Sequence, residues 1–239
     1  MYYRILHLML ALVLAAGLQP ALAKYDVNKP EPGSDKNGTG KSPRTAEACL
    51  PATSTAELNI NNTRALLHNG GDMWWDLLSN PRYEIPKVDN PAEAKHSMFA
   101  SSLWIGGFDG SGQLRIAAQT YRQSGNDFFP GPVRIDGTAS VEREICQEWD
   151  KHFNITRAEI EAFIAAYDAD PANVDLAQFP NVRDWPGTYD NPEFAKNLAP
   201  YVDVDNNGEY NPGGGDYPDI VGDQAIWWII NDKGDIHTE

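Results

Sequence analysis

This chain is poor in basic residues, in cysteine and histidine, and in long apolar runs. Its 239 residues carry 19 Lys and Arg against 34 Asp and Glu, a net charge of −15. Such a field repels nucleic acid and anionic membrane, so partners of those kinds are excluded, and it attracts cations. The five histidines (His7, His68, His96, His152, His237) are dispersed and make no HxxxH or HxH pair, so no zinc spacing is present. There is no GxSxG nucleophile turn either. After residue 18 no segment approaches the roughly 20 apolar residues that a membrane-spanning helix requires.

The N-terminus does hold one apolar run. Arg4 supplies a positive start, Ile5 to Leu18 an apolar stretch, and Ala21-Leu-Ala23 a small-x-small cleavage site. This pattern is that of a secretory signal peptide over residues 1–23. A membrane anchor is the competing reading, but the run is short and Gln19-Pro20 interrupts it. The expected location is therefore secreted or at the outer cell surface. Removal of the leader takes away Arg4 and no carboxylate, for a mature charge of −16. Residues 24–48 are dense in Lys, Asp, Asn, Pro, Gly and Ser and read as a disordered linker, because they lack the apolar surface to offset their ordering entropy. Residues 49–239 then suffice for a single β-rich domain.

Cys49 and Cys146 are the only cysteines. In an oxidising compartment an even pair implies one disulfide; closing so long a loop stabilises by about 4–5 kcal/mol in the chain-entropy model. Two free thiols are the alternative. Neither cysteine has a neighbouring His in a catalytic pattern.

The densest signal is Asp203-Val-Asp205-Asn-Asn207-Gly208-Glu209-Tyr-Asn211. Oxygen-bearing side chains fall at positions 1, 3, 5 and 9 of a loop with glycine at 6, and position 7, Glu209, offers its backbone carbonyl. This is the spacing of an EF-hand-type calcium loop. Position 12 should be a bidentate glutamate and is Gly214. The next carboxylate is Asp216, beyond a Pro-Gly-Gly-Gly run that allows the chain to bend back. The expected ligands are Asp203, Asp205, Asn207, Glu209, Asn211 and Asp216, and the expected cofactor is structural Ca2+. A metal-free cluster of Asx turns is the bland alternative. Residues 200–239 hold nine acids against Lys233 alone, half of the mature net charge.

The periodicities indicate an α+β fold: a hairpin-rich antiparallel sheet, sandwich-like, with a helical insertion near residues 141–167. Phe99 to Phe108 and Gln113 to Tyr121 flank the turn Asp109-Gly-Ser-Gly112. Leu114, Ile116, Ala118 and Thr120 alternate with Arg115, Ala117 and Gln119, as in a half-buried strand. A second hairpin is expected from Ala225 to Ile230, around Asp232-Lys-Gly234, into Ile236-His-Thr. The chain stops inside that strand, so the domain reads as truncated at its C-terminus. Thr156-Arg-Ala-Glu159 is a capping box with Ile155 and Ile160 placed as a staple. Ile160, Phe163, Ile164 and Tyr167 line one face of the helix that follows, and Asp170-Pro171 ends it. An earlier helix over roughly 141–153 would align Ile145, Trp149 and Phe153. A short helix is expected near 192–198.

Seven tryptophans include the doublets Trp74-Trp75 and Trp227-Trp228. Neighbours on a strand face opposite sides, so Trp75 and Trp228 are candidates for ligand-binding aromatics, against the plainer reading that all four are core. Carboxylates are abundant enough for a glycosidase pair, and that abundance selects none of them.

Several segments resemble the N-terminal region of large surface proteins of the Bacteroidota. They are residues 61–76 (NNTRALLHNGGDMWWD), 102–107 (SLWIGG), 118–122 (AQTYR), 127–132 (DFFPGP), 201–212 (YVDVDNNGEYNP), 215–218 (GDYP) and 222–228 (GDQAIWW). Those proteins resemble one another in this region and in a C-terminal type IX secretion sorting domain, which this chain lacks. The family pattern, a calcium-like loop followed at once by Gly-Asp-Tyr-Pro, supports Asp216 as the replacement for the missing position-12 acid. The resemblance implies cell-surface display or release and no defined activity. The expectation is a non-catalytic, calcium-stabilised surface or secreted module with an adhesive or scaffolding role toward a glycan or protein. The competing class is a secreted glycan-directed hydrolase or glycan-binding protein.

Overall fold

The computed structural model describes residues 48–121 and 125–238. The expected signal peptide and all but the last residue of the expected linker lie outside them. The strands are β1 (Thr55–Leu58), β2 (Arg64–His68), β3 (Asp72–Met73), β4 (Tyr83–Glu84), β5 (His96–Met98), β6 (Ser101–Ser102), β7 (Trp104–Phe108), β8 (Leu114–Ala118), β9 (Phe129–Pro130), β10 (Phe153–Thr156), β11 (Tyr201–Val202), β12 (Tyr217–Pro218), β13 (Gln224–Trp227) and β14 (Ile230–Asn231). The helices are α1 (Arg143–Glu148), α2 (Arg157–Ala169) and α3 (Pro180–Arg183).

All pairings are antiparallel, but they make small sheets. β2 carries β1 along one edge, and β4 and β3 share its other edge; β5 and β6 extend the sheet to six strands. The other four sheets are two-stranded: β7–β8, β9–β14, β10–β13 and β11–β12. The fold is thus β-rich with few helices, as the sequence predicts.

The capping box forms as its residues dictate. Thr156 Oγ1 accepts from the Glu159 amide at 3.3 Å, and Glu159 Oε2 accepts from the Thr156 amide at 2.9 Å. Ile155 and Ile160 are both buried and share a core with Phe163, Val182, Trp185 and Ala199, so the staple is made. Burial of each large side chain here stabilises by about 1.5–3 kcal/mol. Cys49 and Cys146 form the disulfide, with Cα atoms 5.8 Å apart across 97 residues. They pack on Phe129 in a second core.

Four local expectations are corrected. First, the helix expected over 141–153 closes at Glu148. Phe153 instead starts β10, where it faces Trp227; the ladder claims backbone groups that a longer helix would have used. Second, residues 192–198 form turns and a bridge, Thr188 with Asn197, not a helix.

Third, the closing hairpin does not form. β13 pairs with β10 and β14 with β9, while Ile236 to Thr238 are not in a strand. Gly234 explains this. Its carbonyl accepts from the Cys49 amide at 2.8 Å, and a Cβ there would sit 2.6 Å from Phe129 and 2.7 Å from Cys49. The residue meant to turn a hairpin is instead pressed onto the disulfide core. Nor is β13 uncovered beyond β10. Gln224 Oε1 accepts from the Asn59 and Ile60 amides at 2.8 and 3.1 Å, and Nε2 donates to Glu57 O and Asn154 Oδ1. One amide side chain sews the β10–β13 ribbon to the end of β1.

Fourth, the β7–β8 hairpin forms around the expected turn, but it is not half-buried along its length: all of β7 and Leu114 to Ile116 of β8 are exposed, on both faces. Ala117 and Gln119 are buried, whereas Leu114 and Ile116 are more than half exposed.

Candidate metal centre

β11 and β12 pair with Tyr201 opposite Pro218 and Val202 opposite Tyr217. The next residues along the two strands are Asp203 and Asp216. Antiparallel pairing therefore brings the first and last carboxylates of the loop together, although 13 positions of sequence separate them. Asp205 joins them: carboxylate oxygens of Asp203, Asp205 and Asp216 all lie within 4.8 Å of one another.

Backbone amides position each group. Asp216 is fully buried; its Oδ1 accepts from the Val204 amide and its Oδ2 from the Asn211 amide, both at 2.8 Å. Asp203 accepts from Gly208 N at 2.8 Å and Asn207 N at 3.2 Å. Asp205 accepts from Asn207, through the amide at 3.1 Å and through Nδ2 at 2.9 Å. The loop can fold so tightly because Asn206 and Gly208 have φ of 59° and 75°, values suited to Asn and Gly.

Gly214 occupies position 12, and space is short there. A Cβ would lie 3.0 Å from Asn211 Nδ2 and 3.5 Å from Asp205 Oδ2. The following Gly215 (φ +100°) lies so close to helix α2 that a Cβ would be 2.8 Å from the Tyr167 ring. Helix α2 thus sets how the chain returns to Asp216.

The electrostatics leave a demand for positive charge. Each pair of carboxylates at this separation repels by about 1 kcal/mol in water and about 3–4 kcal/mol at an effective dielectric of 20. The Gly208 amide, ahead of the Asn207 and Asn206 amides, holds the Asp203 carboxyl below its ordinary range. Burial, then Asp203 and Asp216, push the Tyr201 phenol up, and burial followed by Asp216 does the same to Tyr210. Tyr210 donates its hydroxyl to Val182 O at 2.5 Å. The hard oxygens of the three aspartates could hold a metal ion.

The remaining predicted ligands are placed differently. Asn207 uses Oδ1 to accept from the Glu209 amide at 2.7 Å. The Glu209 carboxylate is exposed and paired with Lys196, consistent with a position that offers only its carbonyl. Asn211 gives its amide to Asp216, and its side chain lies against Gly213 and Gly214.

Of the two candidate aromatics, Trp75 is 4 % exposed, donates to Asp72 Oδ1 at 3.1 Å and meets Tyr121 edge-on. It is core. Trp74 has φ of 71°, so the doublet does not alternate as a regular strand does. Trp228 is half-buried, with its ring 5.4 Å from that of His152.

One constellation has no signal in the sequence. His152 Nδ1 lies 2.9 Å from Ser54 Oγ, 98 residues away, and burial pushes its pKa down to about 4. A Ser-His-Asp set is not completed. The Asp150 carboxylate accepts from Thr53, Ser54 and Asn69 rather than from the imidazole.

Among the described residues, no helix is long and apolar enough to cross a membrane. No family model, curated protein or solved structure matches the chain.

Proposed function

We propose that this chain is a non-catalytic module, held in shape by calcium at Asp203, Asp205 and Asp216, that serves adhesion or scaffolding in an exported protein of the Bacteroidota surface type. The observation that carries the metal is the convergence of three carboxylates, one fully buried, at the base of the β11–β12 ribbon. Ca2+ suits the site because the converging ligands are hard carboxylate oxygens alone. The disulfide agrees with an oxidising, extracellular setting. The surface-protein assignment rests on the sequence resemblance.

The test is thermal unfolding of the exported chain in EGTA and in millimolar Ca2+. Extracellular sites of this class bind at about 0.1–1 mM, so 5 mM Ca2+ should raise the midpoint by a few degrees. An unchanged midpoint sinks the metal reading.

A glycan-directed protein is the second reading. One feature favours it: a cavity of about 510 Å3 lined by Lys151, His152, Phe153, Asn154, Asn181 and Asp184. It combines an aromatic ring with planar polar groups, the pairing that sugar rings and hydroxyls need. Glycan-array binding lost in Asn181→Ala would support it over the scaffold.

A further inference from the structure

Hairpin β7–β8 carries the largest exposed side chains of the described fold on one face. The register Trp104–Ala118, Gly106–Ile116 and Phe108–Leu114 sets these six residues on the same side. Trp104 is 67 % exposed, Phe108 77 %, Leu114 52 % and Ile116 53 %. No charged residue falls on this side. Arg115 belongs to the opposite one, and its guanidinium pairs with Asp109 in the turn at 3.0 Å. The Trp104 indole is fixed, since Nε1 donates to Gln119 O at 2.9 Å.

The face is uneven in a regular way. Gly106 and Ala118 are low points between Trp104, Phe108 and Ile116. A Cβ at Gly106 would touch only Arg115 O at 3.7 Å and Ile116 Cγ1 at 3.8 Å, so the hollow there is open. Along β7 large and small positions alternate, and on β8 the small Ala118 follows Leu114 and Ile116; relief of that kind lets two sheet faces interdigitate.

The geometry points to a second copy of this chain as the occupant of the face. In a two-fold face-to-face stack, Phe108 of each copy stands over the low row of Gly106 and Ala118 in the other, so one patch serves both sides. The area agrees. By the usual size of these side chains the patch exposes roughly 500 Å2, toward the upper end of the largest patch a monomer ordinarily leaves bare. Two such patches remove roughly 1,000 Å2 in total, the lower bound for a specific interface and the size of a weak, reversible dimer. Charge agrees too: in a chain of net charge −15, residues 103–108 carry none, so this face brings no carboxylates into opposition. The chain's own residues 24–47 are a poor cover, with Tyr25 and Val27 as their only large apolar side chains.

The test is sedimentation equilibrium of the full exported chain over roughly 5–500 µM, the range for a weak interface, in EGTA and in Ca2+. The expected result is a mass rising from one copy toward two in both buffers, since the hairpin is separate from the metal loop. Phe108→Lys and Ile116→Lys should each hold the chain at one copy with an unchanged far-UV spectrum. Ile105→Lys, on the opposite face, should leave the dimer intact. A single copy at every concentration overturns the proposal. So does a dimer or larger species that persists in Phe108→Lys, or one abolished equally by Ile105→Lys.

Discussion

Asp203 and Asp216 face each other across the loop because Val202 and Tyr217 are paired in the ribbon beneath them. The two aspartates nevertheless differ in burial. Asp216 is fully buried and satisfied by two backbone amides, while Asp203 is partly open. Asp205 is exposed. Their variants should therefore separate two effects.

Asp205→Ala should abolish the calcium-induced rise in midpoint with little loss of stability in EGTA, since the carboxylate's partners can turn to water. Asp216→Ala should destabilise even in EGTA, by about 1–3 kcal/mol, because it removes two charge-assisted hydrogen bonds, from the Val204 and Asn211 amides, to a fully buried carboxylate. Paired thermal melts with and without Ca2+ check both. Equal behaviour of the two variants in EGTA would refute the division.

Gly215→Ala should weaken the site from a distance. The left-handed φ of +100° and the Tyr167 ring at 2.8 Å both oppose a Cβ, and strain of this kind costs about 1–3 kcal/mol. The calcium midpoint should shift to higher concentration. The double variant Gly215→Ala with Tyr167→Ala should recover part of the calcium response, because the clash is gone while the φ strain remains.

Reduction should destabilise the fold more than any single surface change. Removing the Cys49–Cys146 bond by Cys49→Ser with Cys146→Ser should cost about 2–5 kcal/mol. It would also loosen Gly234, whose carbonyl is tied to the Cys49 amide. Mass spectrometry of unreduced peptides should find the bridge, and denaturant melts should find the loss.

His152 predicts a pH dependence. Its folded pKa, about 4, lies below the ordinary 6.5, so the unfolded chain binds the proton more tightly. Its contribution is fully present above pH 6.5 and is lost as pH falls from 6.5 toward 4. The ring is partly open to solvent, so the effect should be about 1 kcal/mol after screening. Denaturant melts in EGTA should show stability falling over that window, and His152→Gln should flatten the fall. An identical slope in the variant would remove His152 as the cause.

What could be read from the sequence was local. The capping box at Thr156, the staple, the apolar face of the following helix and the turn at Asp109 are set by side chains within a few positions of one another. The calcium-type spacing was equally legible from Asp203 to Asn211, as was the pairing of the only two cysteines. What the sequence could not rank was competition for backbone groups between distant segments. Phe153 left its helix because Trp227 offered a ladder, and the closing hairpin gave way to Gly234 packing on Cys49 and Phe129. Strand alternation marked two faces of β8 but not which one would be covered; that depended on packing around Ala117 and Gln119. At the carboxylate triad, composition alone supplied enough acids to choose from. Asp216, two positions late by the spacing rule, was readable as a candidate, but its meeting with Asp203 follows from the antiparallel register of β11 and β12, which fixes which residues meet at the end of a ribbon whatever their separation along the chain.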